Sequence, residues 1–133
     1  MKILLAIAEE VLADLIAFRL ELLGHSVEVC GTRAAMLERL ASSAASVLLL
    51  ETTLPDSGLR ESLATLRQRF GKDALRILCI SLDPSLEMVE QSYRLGADDY
   101  LLAPFDLQTL QVKLDRLCRE AADSAARAAA AAV

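Results

Sequence analysis

The chain has 133 residues, 54% of them hydrophobic and 25% charged, with only 5 Gly and 3 Pro. That suits one compact domain with one core and excludes an intrinsically disordered chain. The formal net charge of -5 excludes tight non-specific binding of nucleic acid by this domain, because neutralising phosphates needs clustered Lys and Arg.

The chain opens on an apolar run from Met1 to Ala8. Its beginning resembles the h-region of a signal peptide, but Glu9 and Glu10 end it at once, and no apolar run has the length to span a membrane. Ile3 to Ala8 reads as a first strand, followed by a helix that stops at Gly24. His25 follows in the turn with no Cys or second His at ligand spacing, so neither metal binding nor catalysis is expected of it.

Further strands are expected at Val27 to Cys30, Val47 to Leu50, Leu75 to Ile80 and Tyr100 to Leu102. Their continuous hydrophobicity suits central parallel strands covered on both faces. Between them the spacing turns helical, as in Leu59, Leu63, Leu66 and Phe70, or in Leu107, Leu110, Leu114 and Leu117. Gly71 and Gly96 stand where helices stop, Asp83 before Pro84 reads as a helix N-cap, and Asp106 reads as the cap of the last helix. Cys30, Cys79 and Cys118 are odd in number and lie far apart, and read as buried reduced thiols, which suits the cytoplasm.

Alternating strands and helices predict an α/β domain, (βα)5, with a doubly wound five-stranded parallel sheet in the order 2-1-3-4-5. Functional groups are then expected at the carboxyl ends of the strands. The domain is placed at residues 1–118. The Ala-rich segment 119–133 reads as a frayed helical extension or a linker, with no apolar stripe of its own to bury.

Leu95-Gly96-Ala97-Asp98-Asp99-Tyr100 followed by Ala103-Pro104-Phe105 resembles the end of a CheY-like response-regulator receiver domain, and the resemblance runs from Lys2 to about Cys118. It includes Glu51-Thr52-Thr53-Leu54-Pro55 after strand three and Cys79-Ile80-Ser81 at the end of strand four. Such a domain implies bacterial two-component signalling. Its members hold Mg²⁺ with an acidic pair after strand one, accept a phosphoryl group on an aspartate after strand three, and clamp it with a lysine before the proline.

Here the chain departs from that pattern. The acidic-pair positions fall on Ile7 and Ala8, which offer no oxygen donor to a hard cation; a shifted alignment brings in Glu9, or Glu9 with Glu10. The phosphoacceptor position is Glu51, one methylene longer than aspartate, and the lysine position is Ala103. The loop from Pro55 to Gly58 is one residue shorter than usual. Ser81 and Tyr100 keep the switch pair of the family, with a hydrogen bond from Ser81 to Glu51 as one way to hold it and simple capping and packing as the other reading.

The expectation is therefore an atypical receiver that signals by protein contact without phosphorylation, with no enzyme activity and no cofactor, Mg²⁺ binding being lost or weak. The alternative is a phosphorylatable receiver using Glu51, with Glu9 and Glu10 as metal ligands. A nucleotide- or flavin-binding enzyme has no Gly-rich loop after strand one to support it. Partners implied by the resemblance are a histidine kinase, an effector domain or a second receiver, met through helix four, strand five and helix five. Asp98 and Lys113 on that face offer a pair across a twofold axis in a homodimer, with an ordinary solvated surface as the favoured reading of any one charge.

Overall fold

The computed structural model describes residues 1–56 and 58–132. The apolar runs become β1 (Lys2–Ala6), β2 (Ser26–Cys30), β3 (Val47–Glu51), β4 (Arg76–Ser81) and β5 (Asp99–Leu102). The helices are α1 (Glu10–Leu22), α2 (Arg33–Ser42), α3 (Leu59–Arg69), α4 (Leu86–Arg94) and α5 (Leu107–Ala131). All strand pairs are parallel, in the order β2-β1-β3-β4-β5, as expected.

The inner strands β1, β3 and β4 carry nearly continuous apolar runs because helices cover both faces of the sheet, whereas the edge strand β2 carries Glu28 and is only partly buried. On one face Ile3, Leu5, Leu49 and Leu78 pack with Ile16 and Leu20 of α1 and with Leu110, Leu114 and Leu117 of α5. On the other, Leu4, Leu48, Leu50 and Ile77 pack with Met36 and Leu40 of α2 and with Leu63 and Leu66 of α3. The three thiols are free and buried, and burial pushes Cys79 up to about 12 and Cys30 up to about 11.

Some boundaries and caps differ from those expected. β1 stops at Ala6 rather than Ala8, although the N–H of Ile7 still bonds the Cys30 carbonyl at 2.9 Å. The cap of α4 is Ser85, whose hydroxyl accepts from the N–H of Met88, and not Asp83. Asp83 instead folds back locally, its carboxylate accepting from the N–H of Ser85 at 2.9 Å. Asp106 caps α5 as expected, accepting from the N–H of Thr109 at 2.7 Å.

α5 runs unbroken past Cys118 to Ala131, so the Ala-rich segment continues a helix through residue 131. Its expected lack of a face to bury needs correcting: Ala121 and Ser124 are both buried. Arg76 reaches Ser124 Oγ at 2.7 Å and Glu120 at 3.4 Å, which fastens this part of α5 to the first residue of β4. Among the described residues no helix is long and apolar enough to cross a membrane. The shortened loop after β3 includes Ser57, which lies outside the described residues.

Candidate functional site

The carboxyl ends of β1, β3, β4 and β5 bring Ala8, Glu51, Ser81 and Ala103 towards one end of the sheet. Strand pairing sets their heights, with Ala6 beside Leu50, Glu51 beside Ile80, and Ser81 beside Leu102. Glu9, Leu12, Glu51, Thr53, Ile80, Ser81, Leu82 and Ala103 line a cavity of about 160 Å³ there.

Glu51 is half-buried and its carboxylate crosses to the β1–α1 loop, where Oε2 accepts a 2.7 Å hydrogen bond from the N–H of Ala8. Oε1 lies 3.4 Å from the donating hydroxyl of Thr53. Ile7 points into the core with 2% of its surface exposed. Glu9 is spent on its own helix, its carboxylate accepting from the N–H groups of Val11 at 3.2 Å and Leu12 at 2.6 Å. These are donors that a helix start leaves unpaired, and the positive end of the helix dipole favours a carboxylate there.

Glu10 opens α1 and faces a different cavity, of about 330 Å³, shared with Asp14, Val29, Cys30 and Gly31. Glu9 and Glu51 therefore share one cavity while Glu10 stands outside it. Among the described residues no three His, Cys, Asp or Glu side chains are grouped closely enough to hold a metal ion.

Ser81 is buried, and its Oγ accepts from the N–H of Asp83 at 3.0 Å. It lines the cavity with Glu51, yet its hydrogen bond goes to its own loop rather than to that carboxylate. Tyr100 is turned inward, 8% exposed, and its hydroxyl donates to the Asp83 carbonyl at 2.9 Å. Ser81 and Tyr100 thus grip the same residue, Asp83, from β4 and β5. Burial pushes the Tyr100 phenol above its ordinary pKa, and the N–H of Ser85 holds the Asp83 carboxyl below the usual carboxylate range.

The adjacent aspartates at the start of β5, Asp98 just before the strand and Asp99 its first residue, have separate sets of partners. Asp98 accepts from Arg67 at 2.9 Å and from the N–H of Ile77 at 2.8 Å, with Arg76 at 3.8 Å. Asp99 accepts from Lys113 at 2.8 Å, Arg116 at 3.0 Å and the Tyr93 hydroxyl at 3.0 Å. Burial pushes the Asp99 carboxyl up, but the hydrogen bonds from Lys113 and from the N–H of Tyr100 outweigh it and hold the group below the usual range.

An intermolecular Asp98–Lys113 pair would compete with partners that both groups already have within the chain. The Asp98 side chain is only 7% exposed and held by two arginines of its own chain, while Lys113 is paired with Asp99. Sequence reading missed Arg67 and Arg76 altogether. Their signal was a charge set against apolar neighbours, Arg67 after Leu66 and Arg76 at the head of a buried strand.

Residues 3–115 match the family described as the response regulator receiver domain. The transcriptional regulatory protein QseB of Escherichia coli is 31% identical over 119 residues, covering 90% of this chain and 53% of that protein. The sensory transduction protein RegX3 of Mycolicibacterium smegmatis is 30% identical over 87% of this chain and 50% of its own length. The chain spans about half the length of these curated relatives. A two-component response regulator from Clostridium difficile has the same fold, with a TM-score of 0.84 at 20% identity over 90% of this chain and 96% of that one. A CheY-like receiver domain protein from Methanospirillum hungatei gives 0.82 at 23% identity over 92% and 97%. With the family match over residues 3–115 and the sheet order β2-β1-β3-β4-β5, the chain belongs to the response regulator receiver domains of two-component signal transduction.

Proposed function

We propose that this receiver signals without phosphorylation, as a protein-contact module whose switch loop is held by its own hydrogen bonds. The observation that carries the reading is the 2.7 Å bond from the Ala8 N–H to Glu51, which engages the carboxylate at the acceptor position.

The donor set supports the same reading. A hard dication wants several oxygen ligands, and at the site Ile7 and Ala8 supply no side-chain oxygen while Glu9 is bound to the start of α1. Ala103 brings no cation to offset a phosphoryl charge, and phosphoryl transfer depends on positioning and charge stabilisation. Mg²⁺ binding is accordingly weak or lost.

Glu51 carries about one negative charge where a phosphate carries nearly two. The Ser81–Asp83–Tyr100 contacts then hold the loop in its inward arrangement without a phosphate. Receiver domains are in general signalling modules rather than enzymes, and this one acts through a kinase, an effector domain or another receiver docked on α4, β5 and α5. The buried thiols suit the reducing cytoplasm.

The test is intact-mass spectrometry after incubation with acetyl phosphate and Mg²⁺. The expected result is no phosphoryl adduct. A stoichiometric adduct at Glu51, stable in acid and labile in base, would establish the second reading, a working receiver in which Glu9 turns from its cap to a metal. That reading draws on the one cavity that Glu9 and Glu51 share.

A further inference from the structure

The outer face of α1 is apolar where a solvated helix face is ordinarily polar. Val11, Leu15, Phe18 and Leu22 are 65%, 59%, 66% and 67% exposed. They are separated by four, three and four residues, the alternation that makes a seam along one side of a helix. The buried residues Ala13, Ile16, Ala17 and Leu20 occupy the opposite side, against the sheet. The helix therefore has two apolar faces and only one of them is covered.

We propose that this stripe pairs with the same stripe of a second copy of this chain, α1 alongside α1 in parallel. This contact is separate from the α4, β5 and α5 face and does not depend on the state of Glu51.

The charges flanking the seam favour a second copy and fix its direction. Asp14 and Glu21 lie along one flank, and Arg19 lies along the other. In a parallel two-stranded pairing of this phase, the flank carrying Asp14 faces the flank carrying Arg19 of the other copy. Symmetry makes that pair twice. An antiparallel pairing would set the Asp14 and Glu21 flank against itself.

Both groups are available for the contact. Among the described residues no carboxylate lies within ion-pair distance of Arg19. One terminal guanidinium nitrogen of Arg19 donates to the neutral Gln111 side chain at 3.3 Å, and its Nε is buried and has no partner among the described residues, so the contact would be made by the terminal nitrogens. Among the described residues Asp14 makes no ion pair. The two groups that would complete the seam sit five residues apart on one helix, so one sequence supplies both sides.

The area sets the strength. Four large side chains about two-thirds exposed present roughly 400–500 Å² of apolar surface, within the range of patches on soluble proteins that are often functional. Two copies with their flanking residues bury on the order of 1,000 Å², the lower end of specific interfaces. The pairing is therefore weak and concentration-dependent, with a dissociation constant on the order of micromolar to tens of micromolar.

Sedimentation equilibrium of the full chain, from about 1 μM to about 1 mM, reads the association directly. The expected result is a monomer–dimer equilibrium inside that window. Phe18→Glu should weaken it at least about tenfold, with an unchanged thermal unfolding curve because the side chain is mostly outside the core. Asp14→Arg alone and Arg19→Asp alone should each weaken it several-fold, and the two together should restore it. A chain monomeric throughout overturns the proposal, and leaves the stripe to a foreign partner. A dimer indifferent to Phe18→Glu places the contact on another face, and a double exchange no better than the single ones rules out the parallel register.

Discussion

Glu51 and Ala8 are 43 residues apart in the chain and joined by a 2.7 Å hydrogen bond from the backbone N–H of one to the carboxylate of the other. The bond ties the end of β3 to the loop that starts α1. A charge-assisted bond to a backbone amide contributes about 1.5–3 kcal/mol when shielded, and less at a half-buried group. Glu51→Ala should lower the unfolding free energy in urea by about 1–2 kcal/mol, and Glu51→Gln by about half that. An unchanged denaturation midpoint in both would mean that the carboxylate swings free in solution.

The Tyr100 hydroxyl closes the loop after β4 by donating to the Asp83 carbonyl at 2.9 Å. Tyr100→Phe removes that donor while keeping the ring in the core, at a cost of about 0.5–1.5 kcal/mol. The effect should be local, with faster amide exchange at residues 82–85 and little change in β1 or β2. The N–H of Asp83, held by Ser81 Oγ at 3.0 Å, is the most direct reporter; if its exchange rate stays the same, the loop is held by something other than Tyr100.

Apolar runs gave away the five strands, because a sheet covered on both faces leaves that pattern, and their alternation with helices pointed to the doubly wound order. Glu51, Ser81, Tyr100 and Ala103 could be placed near one another because parallel strands bring their carboxyl ends to one edge. Partner choice within that edge was not legible. Ser81 and Glu51 line the same cavity, yet the hydrogen bond found at Ser81 Oγ is the one it accepts from the amide two residues along the chain. The same holds for Asp98, whose partners Arg67 and Arg76 come from α3 and β4. Only the folded geometry shows that these charges meet inside the chain, and that α1 keeps an apolar face uncovered.

Stability should fall in acid partly through Asp99. Its pKa is held below the ordinary aspartate value, so the folded state binds a proton less readily than the unfolded one. The stabilisation is therefore present above about pH 4, the unfolded value, and is lost as pH falls through the lower folded value. Asp99→Asn removes this contribution and leaves Lys113 and Arg116 without their carboxylate. The variant should be less stable at pH 7 and show a shallower loss between about pH 5 and pH 2. Parallel slopes for the two proteins would mean that Asp99 titrates alike in both states.

Arg67 ties α3 to Asp98 and to the backbone around it. Nε donates to the Gly96 carbonyl at 2.9 Å, one terminal nitrogen to the carbonyls of Leu75 at 2.8 Å and Gly71 at 3.2 Å, and the other to Asp98 at 2.9 Å. Arg67→Met keeps the apolar stem and removes every donor, leaving Asp98 with the more distant Arg76 and the Ile77 amide. Breaking a buried pair from one side costs about 3–5 kcal/mol, so this single change should cost more than any change proposed at the Glu51 site. Gly96→Ala attacks the same joint from the other side. Its φ of +114° is one that L side chains rarely adopt, and an added Cβ would stand 2.6 Å from Arg67 Cγ. If Arg67 is the element that suffers, the two changes made together should cost clearly less than the sum of their separate effects in urea denaturation, because the Met side chain can move aside. Strict additivity would assign the Gly96 effect to backbone strain alone.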